Sequence, residues 1–126
     1  MPYDVTIDAA ARRVHVRAFG PSSYDEAKDS IDRLVDDPAF EPTFSLLFDG
    51  REMEYLASYE DALKFRDLFQ RMREKFRGPM AIVVQGTARY GVSRMIASLL
   101  DLVGVKMEAF LSLPEAETWL DSHEAS

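Results

Sequence analysis

The chain has 126 residues, 47% of them hydrophobic, which suffices for one domain around one core and leaves too little for a second. With no cysteine and only His15 and His123, it offers no disulfide, no thiol nucleophile, no cysteine-ligated metal and no histidine cluster. A formal net charge of -7 argues against a nucleic-acid binder, because phosphate backbones reward clustered Lys and Arg.

The opening Met1-Pro2-Tyr3-Asp4 is not a basic region followed by an apolar stretch, and no run approaches the roughly 20 apolar residues of a membrane-spanning helix. The expectation is a soluble cytoplasmic protein. No repeat, low-complexity tract or linker interrupts residues 1–126, so a single domain is expected.

Tyr3, Val5 and Ile7 alternate with Asp4, Thr6 and Asp8, the period of a half-buried strand. After a short connection at Ala9 to Ala11, Val14, Val16 and Ala18 continue the apolar face opposite Arg13, His15 and Arg17. The pair reads as a β-hairpin with acidic residues on one strand of its open face and basic ones on the other, which places His15 on the surface. Gly20-Pro21 ends the second strand. Ser23 with Glu26 then forms a capping box ahead of a helix whose apolar positions are Tyr24, Ala27, Ile31, Leu34 and Val35, stopped by Asp36-Asp37-Pro38.

Thr43 to Phe48 lacks clean alternation and reads as a strand covered on both faces, ending at Asp49-Gly50-Arg51. Ser58 with Asp61 repeats the capping pattern. Ala62, Phe65, Leu68, Phe69, Met72 and Phe76 mark the buried stripe of a second helix, which Gly78-Pro79 ends. Met80 to Gln85 is then a strand, about 88 to 103 a helix, Val105 to Leu111 a strand, and Ser112 to Asp121 a helix with a third box at Ser112 and Glu115 and an anchor at Trp119-Leu120. The expected fold is α/β: a five-stranded mixed sheet in which an N-terminal β-hairpin is followed by α-β-α-β-α-β-α, with right-handed crossovers and four helices.

This order resembles the STAS superfamily of sulfate transporters and anti-sigma factor antagonists, and in particular its small stand-alone bacterial branch, described as STAS/SEC14-like or anti-anti-sigma-factor-like. The likeness rests on Phe48-Asp49-Gly50-Arg51, on Ala81-Ile82-Val83-Val84 with Tyr90-Gly91, and on Phe110 with Glu115-Ala116 and Trp119-Leu120. It implies a SpoIIAA-like domain over nearly the whole chain. It also implies a phosphorylatable serine after the third strand, a position held here by Ser58, where Ala57 and Tyr59 depart from the aspartate and glycine of that motif. A phosphate at a helix N-terminus would be electrostatically favoured, while the N-cap role of Ser58 beside Asp61 accounts for the same residue structurally.

Gly86-Thr87-Ala88-Arg89-Tyr90-Gly91-Val92-Ser93 follows a strand and opens a helix as a phosphate-binding loop does, but Val92 stands where nucleotide hydrolysis needs Lys. A small anion held by the amides near Thr87 to Gly91 and by Arg89 remains compatible. The carboxyl edge of the sheet would gather Asp49, Arg51, Ser58, Thr87, Arg89 and Tyr90, with Asp49 and Arg51 either facing a ligand or pairing with each other. No activated nucleophile with a base beside it is visible, so no enzyme activity, cofactor or metal is expected. Residues 64 to 77 carry Lys64, Arg66, Arg71, Arg73, Lys75 and Arg77 against Asp67 and Glu74, a net +4 on a chain of net -7. This strip is either a solvated face or a docking surface, through Lys64, Arg66, Arg73 and Arg77, for an acidic protein, an anionic lipid surface or a second copy of the chain. The combined expectation is a non-enzymatic STAS-like binding or regulatory domain acting through protein-protein interaction. The alternative is a small-molecule or lipid binder using the carboxyl edge, for which eight Phe and six Met supply an apolar inventory, with a Ser58 phosphoswitch third.

Overall fold

The computed structural model describes residues 2–123. β1 (Tyr3–Asp8) and β2 (Arg13–Gly20) pair antiparallel, with Tyr3 opposite Ala18 and Asp8 opposite Arg13. Alternation buries Tyr3, Val14, Val16 and Ala18 and exposes Asp4, Thr6, Asp8, His15 and Arg17, so the hairpin has the charged outer face its sequence predicts. Arg17 meets Asp4 at 3.7 Å across the strands. Arg13 differs from its neighbours on that face. Its guanidinium is largely covered, bonding Ser45 at 2.9 Å and Asp121 at 3.0 Å.

β3 (Ser45–Met53), β4 (Met80–Val83) and β5 (Met107–Phe110) continue the sheet parallel to β2, in the order β1-β2-β3-β4-β5. The connecting helices are α1 (Tyr24–Asp36), α2 (Tyr59–Arg71) and α3 (Thr87–Asp101), and α4 (Leu113–Ser122) follows the last strand. Leu34 of α1, Phe69 of α2 and Leu100 of α3 join one apolar cluster with Val14, Val16 and Met80. The three crossovers therefore lie on one face and, stepping always the same way, share one hand. Among the described residues the other face has α4 alone: Ala116 and Leu120 pack on Leu47, Ala81 and Val83, with Trp119 against Phe110 at a centroid distance of 5.8 Å.

Local structure departs from the sequence reading in several places: β4 and β5 are shorter than the expected Met80 to Gln85 and Val105 to Leu111, and three differences are larger. β3 does not end at Asp49-Gly50-Arg51 but runs on to Met53, because β2 stays paired past a bulge: Arg17 lies opposite Asp49, then Phe19 opposite Glu52. α2 ends at Arg71 rather than at Gly78, so Phe76 reaches the core from a turn, and Arg73, Lys75 and Arg77 lie beyond the helix. Ser58 and Asp61 make a complete capping box, whereas Ser23 and Ser112 each accept an amide without the reciprocal carboxylate bond.

Gly78 fits because the chain passes against another backbone there. Its amide and that of Arg77 both donate to the Pro42 carbonyl, and a Cβ on Gly78 would lie 2.7 Å from the Thr43 oxygen and closer still to that of Phe44. Gly91, inside α3, faces open space. Gly78→Ala should therefore cost at least about 3 kcal/mol in urea unfolding, while Gly91→Ala should stabilise by about 0.5–1 kcal/mol. Equal effects at the two sites would contradict this packing.

Candidate functional site

In a filled α/β core, the helix-facing side chains of the central strands lose contact with water. Leu46 and Phe48 on β3 and Ile82 on β4 instead remain only half-buried beneath the helices. Above them lies a cavity of about 150 Å³, open to solvent. Its roof is Ala27, Ile31 and Leu34 of α1, Phe65 and Phe69 of α2, and Val92 and Ile96 of α3. Tyr55, Leu56 and Ala57, in the extended segment between β3 and α2, close one end.

Local sequence explains the gap. α1 turns Ala27 and Ser30 inward, and α3 turns in Ser93, small side chains that cannot reach across to the sheet. α1 meets α2 through Tyr24 stacked edge-on against Phe65, centroids 4.9 Å apart, at the start of the helix. That contact holds the two helices together at one end while the space beneath stays unfilled.

The segment before α2 is tied down on both sides. Glu54 donates its amide to Gly20 (3.0 Å), and its carbonyl accepts from Arg89 Nη2 (3.0 Å). Tyr55 lines the cavity and donates its hydroxyl to Asp61 at 2.8 Å. Burial first, and then that carboxylate, push the Tyr55 phenol well above the usual tyrosine range, so it stays protonated throughout the physiological range.

The residues proposed for the carboxyl edge do not converge on one pocket. Asp49 and Arg51 form a bidentate pair, with both guanidinium contacts at 2.8 Å, and belong to the charged outer surface with Arg17 and Glu52. Thr87 is exposed at the start of α3, and Tyr90 lies under the Arg94 guanidinium at 5.8 Å. Of the six residues expected at that edge, Ser58 included, only Arg89 lines the cavity. Among the described residues its Nε is also the buried side-chain nitrogen or oxygen left without a hydrogen-bond partner. The cavity was not legible in the sequence, where Phe48, Phe65 and Ile96 look like ordinary core; the available signal was the run of small residues on the inward faces of α1 and α3.

Ser58 acts as the N-cap of α2: its hydroxyl accepts from the Asp61 amide at 3.0 Å, and Asp61 accepts from the Ser58 amide at 3.3 Å. Of the basic strip, Lys64 lies 4.0 Å from Glu60 and over the Tyr24 ring, and Arg66 pairs with Asp67 at 3.0 Å. Arg71, Arg73, Lys75 and Arg77 are exposed and make no ion pair among the described residues. The described residues hold no group of three or more carboxylates or histidines arranged for a metal, and no helix long and apolar enough to cross a membrane.

No protein-family model matches the chain, and no curated protein matches it. Among solved structures, an uncharacterized protein of the DUF3478 family with a SpoIIAA-like fold, from Shewanella loihica PV-4, superposes with a TM-score of 0.62. The match covers 94% of this chain and 91% of that one at 17% identity, a likeness of fold. The fold of this chain is SpoIIAA-like.

The Asp49–Arg51 pair makes a pH prediction. Arg51, bonding the carboxylate, holds Asp49 below the usual aspartate range against a partial opposing effect of burial. A depressed folded-state value stabilises the fold above the unfolded value of about 4, and that contribution disappears as pH falls through the lowered one. Urea midpoints between about pH 6 and about pH 2 should fall less steeply for Asp49→Asn than for the wild type. Parallel profiles would show that the pair contributes nothing.

Proposed function

We propose that this domain is a non-enzymatic binding module whose ligand is a small, largely apolar molecule held between the sheet and α1, α2 and α3. The carrying observation is the half-burial of Leu46, Phe48 and Ile82 around a cavity of about 150 Å³. An apolar space of roughly that size holds a benzene-sized body in other proteins. Leaving such a space empty forfeits dispersion contacts that a ligand restores. Among the described residues no histidine or carboxylate lines the cavity beside Ser30 and Ser93, and the Tyr55 hydroxyl, which donates to Asp61 behind the wall, is kept protonated by burial and that bond, so no activated nucleophile faces the space. That absence favours holding a ligand over transforming it.

The test uses 1-octanol in calorimetry and thermal denaturation. Binding should raise the melting temperature of the wild type. Ala27→Leu, which adds three carbons to the roof, should stabilise the unliganded protein by about 1 kcal/mol, since roughly 0.8 kcal/mol per buried carbon is partly offset by strain, and should abolish the octanol response. A wild type indifferent to octanol up to its solubility limit would sink the reading.

A second reading concerns a protein partner and rests on Arg71, Arg73, Lys75 and Arg77. Among the described residues these exposed cations make no ion pair, whereas Lys64 and Arg66 are engaged within the chain. Such a cluster suits an acidic protein surface, steering encounter more than setting affinity. Affinity capture from the native cell should recover a partner with the wild type that is lost with Arg73→Glu/Arg77→Glu. An identical set of captured proteins would remove this surface from consideration.

A further inference from the structure

Among the described residues Arg89 is the one charged residue lining the cavity, in a chain that carries 22 acidic residues and 15 basic ones. An acidic protein that admits no carboxylate to its apolar cavity and does admit a guanidinium has set the sign of the charge the cavity accepts. Arg89 is held by a bond from Nη2 to the Glu54 carbonyl at 3.0 Å, while its buried Nε–H has no acceptor among the described residues. A buried donor without a partner is costly, so an acceptor arriving with a ligand gains more there than at a hydrated arginine. The surrounding backbone reinforces the same sign: Arg89 lies in the first turn of α3, which has no acidic residue and no side-chain cap at Gly86. One turn further on, Ser93 brings a buried residue with a hydroxyl to the same wall.

From these observations, and resting on the binding function proposed above, we infer that the ligand is an amphipathic monoanion: an aliphatic or aromatic carboxylic acid whose carboxylate meets Arg89 and whose apolar body lies over Phe48 and Ile82. A carboxylate fits better than a phosphate. A single planar guanidinium, already committed at one nitrogen, matches one flat monoanion, whereas a phosphate monoester calls for further donors and charges.

The experiment compares octanoate, 1-octanol and octyl phosphate by calorimetry at about pH 7 and low salt. Octanoate should bind the wild type at least tenfold more tightly than octanol. Arg89→Gln should erase that preference, weakening octanoate binding at least tenfold more than octanol binding, and Arg89→Lys should retain part of it. Equal affinities for octanoate and octanol in the wild type would overturn the role of Arg89 and leave the apolar cavity standing. Tenfold tighter binding of octyl phosphate than octanoate would overturn the carboxylate assignment. Failure of all three probes would remove the cavity reading itself, and this inference with it.

Discussion

An α-helix needs about 8–10 Å of width when it packs, whereas neighbouring strands are only about 4.8 Å apart. Folds that alternate their crossovers between the two faces of a sheet absorb this mismatch easily. Here β2, β3, β4 and β5 follow one another in spatial order with every crossover on one face, so α1, α2 and α3 must share the width of a sheet too narrow to space them evenly. The helices meet where aromatic side chains bring them together, as at Tyr24 and Phe65, and stand off where Ala27, Ser30 and Ser93 face inward. The cavity follows from that geometry. On the opposite face α4 fits closely, with Ala116 and Leu120 fully buried.

Arg89 belongs to the same arrangement. The β3 bulge at Gly50 and Arg51 carries the strand on to Met53, delivers the extended segment 54–58 across the end of the sheet, and so places the Glu54 carbonyl where Arg89 can bond it. A Cβ on Gly50 would come within 3.0 Å of the Phe48 ring and 3.2 Å of the Val83 carbonyl, so the bulge depends on a residue without a side chain. The charges of the outer face are taken up in ion pairs, Arg17 of β2 with Glu52 of β3 and Asp49 with Arg51 within β3. These exposed pairs contribute modestly to stability, and they leave Asp49 and Arg51 engaged with each other.

Much of the fold was legible because strands and helices announce themselves through period and punctuation. Tyr3 to Asp8, the caps at Ser23, Ser58 and Ser112, and the stop at Asp36-Asp37 all act within a few residues of themselves. The end of β3 was misread because a bulge is decided by pairing with a distant strand, and Asp49-Gly50 looks like a turn until Phe19 is seen opposite Glu52. The end of α2 was misread because Phe76 keeps the helical phase of the buried stripe although the chain has already turned. Arg89 is legible from its place after Gly86, as an anion contact at a helix start. Its neighbours are not, since a cavity is defined by the spacing between helices, and no segment encodes that spacing alone. Apolar residues that line an empty space have the same periodicity as those that fill a core.

The most direct test of this account is a crystal structure of the protein grown with octanoate. The account predicts density for the chain between Phe48 and the inward face of α3, with the carboxylate within hydrogen-bonding distance of Arg89 Nε. A cavity closed by the side chains of Phe65 and Ile96, or octanoate found only on the outer surface, would contradict it.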